Sequence, residues 1–271
     1  MPVIEAYKDL KQAFAENRSN RDVLKILTPR LLEVANGEAG DDVGRLQWHN
    51  GLGFFTYVPL KRDEIASDRI HSVAIHIWPN KSQLVAEQSK LCETSTTSTI
   101  HGHSFNFESR LVTEECYLEQ WPIGVTIVPE SWESAILDER EHIFGVFNAI
   151  SRPDGTDILE RQRLVAAVRP GEIQRIEPGQ TYSMSRIEMG LEGYNVSHDA
   201  FHISESGTGD CVTIMLPEND PSKPNLSLGA CALNTRAEDL EFTETHSQQR
   251  ILYGRNETVE AVGRLVTLLG V

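Results

Sequence analysis

Several things are missing from this chain, and each absence removes a class of protein. No segment approaches about 20 consecutive apolar residues, so nothing in it reads as a membrane-spanning helix. The four cysteines, Cys92, Cys116, Cys211 and Cys231, are too widely spaced for a CxxC metal or redox motif. Four in 271 residues do not make a disulfide scaffold either. Positive charge is scarce: 25 Lys and Arg stand against 40 Asp and Glu, a net charge of −15, which argues against nucleic acid and anionic membrane surfaces as partners. Neither GxGxxG nor GxxxxGK[ST] occurs, which weakens nicotinamide-dependent and phosphate-transfer readings. The opening "MPVIEAYKDLKQAF" is amphipathic and lacks the apolar run of a secretory signal. The resulting expectation is a reduced, cytoplasmic, soluble protein with no nucleic-acid or membrane partner, monomeric or homodimeric.

What is present suffices for a packed core, with 39% hydrophobic and 7% aromatic residues recurring along the whole length. One domain over residues 1–271 accommodates the pattern. Residues 3–36 read as two helices: Ile4, Tyr7, Leu10 and Phe14 recur at steps of three and four, "NRSN" breaks the run, and Asn20 is placed to cap a second helix. From 45 to 235 the pattern changes to short β-branched and aromatic runs separated by turn clusters such as "SRPDGTD" and "ESGTGD". Many short strands without βαβ alternation predict a mainly β fold, an antiparallel barrel or sandwich. The segment 256–270, "NETVEAVGRLVTLLG", predicts a C-terminal amphipathic helix.

The chemistry-bearing stretch is "STIHGHSFNFESRLV", residues 98–112. Alternate strand residues face one side, so His101 and His103 project together and offer two imidazoles to one ion. Glu108 breaks that parity, and joins the histidines only if the chain turns around "SFN" and returns as the neighbouring strand. A further ligand has to come from elsewhere. "HDAFHISES" supplies His198 and His202, which share parity, ahead of the apolar run "CVTIML". Imidazoles with a carboxylate suit iron, nickel, manganese or zinc. Arg110 has the parity of Glu108, so it lines the same cavity and binds a substrate carboxylate, or it neutralises Glu108. Arg186 and Tyr182, in "TYSMSRIEM", are further candidates for substrate binding. His76 shares a face with Ala74 and Trp78, as an outer support of the site or as an interior histidine.

"HGHSFNFE" from His101 to Glu108 resembles the first motif of the cupins, and "AFHISES" around His202 resembles the second. The nearest branch is similar to the cysteine dioxygenases, or thiol dioxygenases, in which a tryptophan-containing strand precedes the first motif as "AIHIW" does here. The resemblance covers about residues 55–218. It implies a cupin-type antiparallel β-barrel (a jelly roll) and a non-haem metal, Fe(II) first, held by His101, His103 and His202. It also implies O₂-dependent oxidation of a small amino acid or thiol ligated to that metal. The sequence departs from that branch in three places. The glycine that ends the first motif is replaced by "TEE". Glu108 stands where animal enzymes carry a cross-linking cysteine. The family's Ser–His–Tyr set falls on Thr213, Met215 and Pro217, which cannot relay protons. If Glu108 is a fourth ligand, a cupin isomerase or lyase is the rival reading; a non-catalytic ligand-binding cupin is the third.

Overall fold

The computed structural model of the protein describes residues 3–49, 53–59, 73–79, 101–103, 105–129, 142–151, 157–185, 194–195, 201–207, 209–218, 228–232, 245–247 and 250–271. Two helices open the chain, α1 (Val3–Ala15) and α2 (Asn20–Ala35). Strands follow: β1 (Arg45–His49), β2 (Phe54–Val58), β3 (Ala74–Trp78), β4 (His101–Gly102), β5 (Asn106–Leu111), β6 (Leu118–Pro129), β7 (His142–Ser151) and β8 (Asp157–Pro170). Next come β9 (Gln174–Ile176), β10 (Thr181–Met184), β11 (Tyr194–Asn195), β12 (Phe201–Ser206), β13 (Cys211–Glu218), β14 (Leu228–Ala232), β15 (Thr245–Ser247) and β16 (Arg250–Leu252). Helix α3 (Arg255–Leu269) closes the chain. The fold is mainly β, as expected, and its strands continue beyond residue 235 to Leu252.

The strands form two antiparallel sheets. One has seven strands in the order β10-β5-β13-β3-β2-β1-β16; the other has nine, with β14-β7-β8-β6-β12-β4 as its main path. Among the described residues the seven-stranded sheet is open, its path ending at β10 and β16. The strand register fixes two distinct faces on this sheet. Tyr57, Ile75 and Ile214 lie in one cross-strand row, and Phe55, Ile77 and Val212 in another. All of these belong to the core that packs under the helices. The alternate positions, among them Phe107, Leu111, Ala74, Trp78, Cys211 and Met215, pack on the opposite side. There they meet the nine-stranded sheet through Leu118, and through Gln120, whose amide reaches Met184 Sδ at 3.2 Å.

The helices form because their apolar residues fall on one stripe. In α2, Val23, Leu27, Leu31 and Val34 are fully buried, the spacing of a single helical face. Each contributes about 1.5–3 kcal/mol of burial. The start of α2 differs by one residue from the sequence expectation: Ser19 is the cap, its side chain accepting from Asp22 N–H. Asn20 sits inside the helix because its amide is used in tertiary contacts, donating to Val112 O at 3.4 Å and to Glu114 at 3.2 Å. Helix α3 begins at Gly254, whose N–H donates to Glu257 Oε2 at 2.7 Å. No helix among the described residues is long and apolar enough to cross a membrane.

Replacing Leu27 with alanine is expected to cost about 2–5 kcal/mol in urea unfolding. The same change at Ile173, which is 56% exposed, is expected to stay within about 0.5 kcal/mol.

Candidate metal centre

The histidine motif is divided between the two sheets. His101 and Gly102 form β4 at the edge of the nine-stranded sheet, whereas β5 belongs to the seven-stranded one. The chain therefore neither runs on as one strand nor returns beside itself; it crosses between sheets at residues 103–105. On the first side of that crossing β12 pairs with β4 in antiparallel register, so that His202 stands directly opposite His101 and Phe201 opposite Gly102. Directly opposed antiparallel residues share a sheet face, with Cβ atoms roughly 4.5–5.5 Å apart. The backbone thus brings together two of the histidines singled out in the sequence, 101 positions apart in the chain. For these two residues the structure describes the backbone alone. His198 and Arg186 lie outside the described residues.

His103 follows at the crossing. Its ring is edge-on to Phe107 at 4.9 Å and tilted against Phe105 at 5.2 Å. Phe107 belongs to the face that looks toward the nine-stranded sheet, in a cluster with Ala74, Met184 and Met215. His103 is therefore on that inner side as well. Among the described residues no three His, Cys, Asp or Glu side chains gather as an ion site.

Glu108 and Arg110 are placed elsewhere, and here the structure corrects the sequence reading. Both occupy the opposite parity of β5 from Phe107, and both turn toward the helices. Glu108 takes a 3.0 Å ion pair from Lys11 of α1, which also reaches Glu218 at 2.5 Å. Burial alone depresses the Lys11 ammonium, but the hydrogen bonds it donates to Glu218 and Glu108 outweigh that and hold the pKa above its ordinary value. Arg110 is 3% exposed and grips the α1–α2 corner. Its Nε donates to Asn20 Oδ1 at 3.1 Å, Nη1 to Asn17 Oδ1 at 3.2 Å and Nη2 to Arg18 O at 2.6 Å. A cation there also complements the carbonyl end of α1. Neither residue shares a cavity with His103, because alternation along β5 puts the sheet between them.

The inner face joins His76, weighed in the sequence as an outer support or an interior histidine, to polar residues that the sequence reading passed over. Register aligns Gln47, Thr56, His76 and Thr213 in one row across β1, β2, β3 and β13. Beside it, His49 Nε2 lies 2.9 Å from both Gln47 Nε2 and Thr56 Oγ1. The Phe54 ring sits between His49 and His76, at 4.7 and 4.8 Å. Trp78 Nε1 donates to Thr213 Oγ1 at 3.4 Å. The signal was available in "RLQWH" and "FFTYV", where Gln47, His49 and Thr56 fall on the polar parity of otherwise apolar strands. Tyr182 is on this side too, opposite Ser109 and 6.2 Å from Phe107. Enclosure pushes its phenol up to about 12, with the nearby hydroxyls of Ser109 and Thr213 pulling the other way. Ser109 Oγ itself has no partner at full hydrogen-bond geometry, so that pull is weak.

The chain matches no protein-family model and no curated protein.

Two expectations follow. Arg110→Met removes three donated hydrogen bonds, one to the buried Asn20 amide and two to the partly buried α1–α2 corner, and is expected to lower stability by roughly 2–3 kcal/mol in urea unfolding. A residue that only anchored substrate would leave the midpoint unchanged. Tyr182 ionises near 12 in the fold and near about 10 unfolded. Its contribution is therefore complete below about pH 10 and is lost as pH rises through 12. Unfolding midpoints from pH 9 to 11 are expected to fall less steeply in Tyr182→Phe than in the wild type.

Proposed function

We propose that the protein is a cupin-type, metal-dependent oxygenase that oxidises a small amino acid or thiol. The observation that supports this reading is the cross-strand opposition of His101 and His202, with His103 two residues further along the chain at the entrance to the inner face. Two imidazoles on adjacent strands and a third close in sequence are a donor set suited to Fe(II), and also to Ni, Mn or Zn. When bound, such an ion would supply a Lewis acid with open coordination positions, and in the case of Fe(II) a redox-active one. Glu108 is left out of the ligand set because Lys11 and α1 hold it on the far face. That removal takes away the carboxylate ligand that favoured the isomerase or lyase reading.

The chain's own residues then have separate tasks. Phe105, Phe107, Met184 and Met215 provide an apolar wall beside His103 that excludes water from the reacting centre. Tyr182 keeps its proton up to about 12, so at neutral pH it presents an O–H donor and not a phenolate. With Arg110 committed to the helix corner, the substrate carboxylate falls to Arg186, four positions beyond Tyr182. Without a nicotinamide motif, the electrons for O₂ come from the substrate itself.

The test is an oxygen-electrode screen of amino acids and thiols with iron-loaded protein. O₂ uptake is expected only when substrate is present. His101→Ala and His202→Ala are each expected to lose bound metal and O₂ uptake together, by on the order of 100-fold or more, since even residues behind the ligands can cost that much. Full activity in His101→Ala would overturn the reading, and turnover under strict anaerobiosis would favour an isomerase or lyase.

A further inference from the structure

We propose that Cys116 and Cys211 form a redox pair that closes to a disulfide when the protein meets hydrogen peroxide, stapling the two sheets together. Cys211 opens β13 of the seven-stranded sheet, and Cys116 lies in the connection that leads into β6 of the nine-stranded one. Both are reduced thiols in this structure, and both are buried in one cluster with Phe54, Trp78, Leu111, Leu118 and Ile176. Each sulfur is tied to the segment that carries the other: Cys211 Sγ to Tyr117 O, and Cys116 Sγ through Thr113 Oγ1 to Val212 N–H.

The backbone around them is tied on both sides. Val112 N–H donates to Val212 O at 2.9 Å, and Gly207 N–H to Tyr117 O at 2.9 Å. A side chain at Gly207 would collide with the Tyr117 ring, so only glycine permits that approach. Between these ties sits Thr113. Its Oγ1 accepts from Val212 N–H at 3.1 Å and lies 2.8 Å from Cys116 Sγ, where its hydroxyl proton is available to a thiolate. Cys211 Sγ donates to Tyr117 O at 3.2 Å.

This arrangement makes the two thiols unequal. The neighbouring Cys211 thiol and the Thr113 hydroxyl favour the Cys116 thiolate against the cost of burial. Cys211 is driven the other way by Cys116 and by burial, with Asp210 adding to the effect. Cys116 is also the member with residual exposure, 6% against 0%. It is therefore the attacking sulfur, and only a small oxidant reaches it.

The steps balance as follows. The Cys116 thiolate attacks one peroxide oxygen, the O–O bond breaks, and hydroxide leaves as Cys116 becomes a sulfenic acid. The Cys211 sulfur then attacks Cys116 Sγ, forming S–S and breaking S–O. The departing oxygen takes the Cys211 proton and leaves as water, and the proton that Cys116 gave up in forming its thiolate neutralises the hydroxide released from the peroxide. Two thiols are oxidised by two electrons, and one peroxide is reduced to two waters.

The experiment uses the full chain in a Cys92→Ser/Cys231→Ser background, treated with hydrogen peroxide and read by intact mass and non-reducing peptide mapping. The expected result is loss of two hydrogens, a single Cys116–Cys211 cross-linked peptide, and full reversal by dithiothreitol. Closing a loop of roughly 95 residues is expected to raise the melting temperature by several degrees. Cys211→Ser is expected to stop at a sulfenic acid on Cys116 that dimedone traps, while Cys116→Ser leaves Cys211 unreacted. The proposal is overturned if both thiols stay reduced at peroxide levels that oxidise Cys92 or Cys231 in the parent chain. Oxidation of Cys116 to sulfinic acid with Cys211 still reduced would also overturn it. Neither outcome bears on the metal reading, which rests on other residues.

Discussion

The seven-stranded sheet has to satisfy two different neighbours at once, and strand alternation is the means. Each residue step along β1, β2, β3, β5 and β13 switches a side chain from the helix-facing core to the space before the second sheet. The helix side is closed by apolar packing: Leu27, Leu31 and Val34 of α2 rest in one cluster with Tyr57, Ile75 and Ile214. The other side mixes aromatic rings with buried polar groups, Thr56, His76, Ser109 and Thr213 among them. A shift of one residue in any of these strands would exchange the two sets and bury the polar row under the helices.

That constraint separates the roles of neighbouring residues in β5. Phe107 and Glu108 are adjacent in the chain and lie on opposite faces. One meets His103, the other Lys11. Two residues on, Arg110 repeats the parity of Glu108 and spends its donors on the α1–α2 corner, where Asn17 adopts a left-handed backbone with φ of 48°. The guanidinium thus positions the helical cap over the sheet. The charged residues of the first motif serve the fold, while His103 lies on the other side with Phe107.

Much of the architecture was legible in the sequence because it rests on periodicity. The three- and four-residue apolar steps gave α1, α2 and the C-terminal helix, and the short β-branched runs gave β2, β3, β10, β12 and β13 close to their observed positions. The pairing of His101 with His202 was foreshadowed only in outline. The sequence showed two histidine segments far apart, and register is a tertiary property no spacing reveals. Glu108 was left open in the sequence, since it joins the histidines only if the chain turns at "SFN" and returns beside itself; instead the motif is cut by a crossing between sheets. Nothing local in "HGHSFNFE" marks that crossing, since serine, phenylalanine and asparagine serve equally in a hairpin turn. Asn20 misled on a smaller scale, because a good capping residue next to another good capping residue leaves tertiary contacts to choose between them. Of the polar row from Gln47 to Thr213, only His76 stood out in the sequence; Gln47 and Thr56 are unremarkable alone, and register is what joins them to it.

The claim on which the functional account depends is that the histidines, and not Glu108, form the metal's ligand set. X-ray absorption at the metal edge of iron-loaded protein tests it most directly, comparing wild type with Glu108→Gln and His202→Ala. The account predicts an imidazole-rich sphere that Glu108→Gln leaves unchanged and that His202→Ala depletes by one nitrogen ligand. A sphere that changes with Glu108→Gln, or one indifferent to the loss of His202, would contradict it.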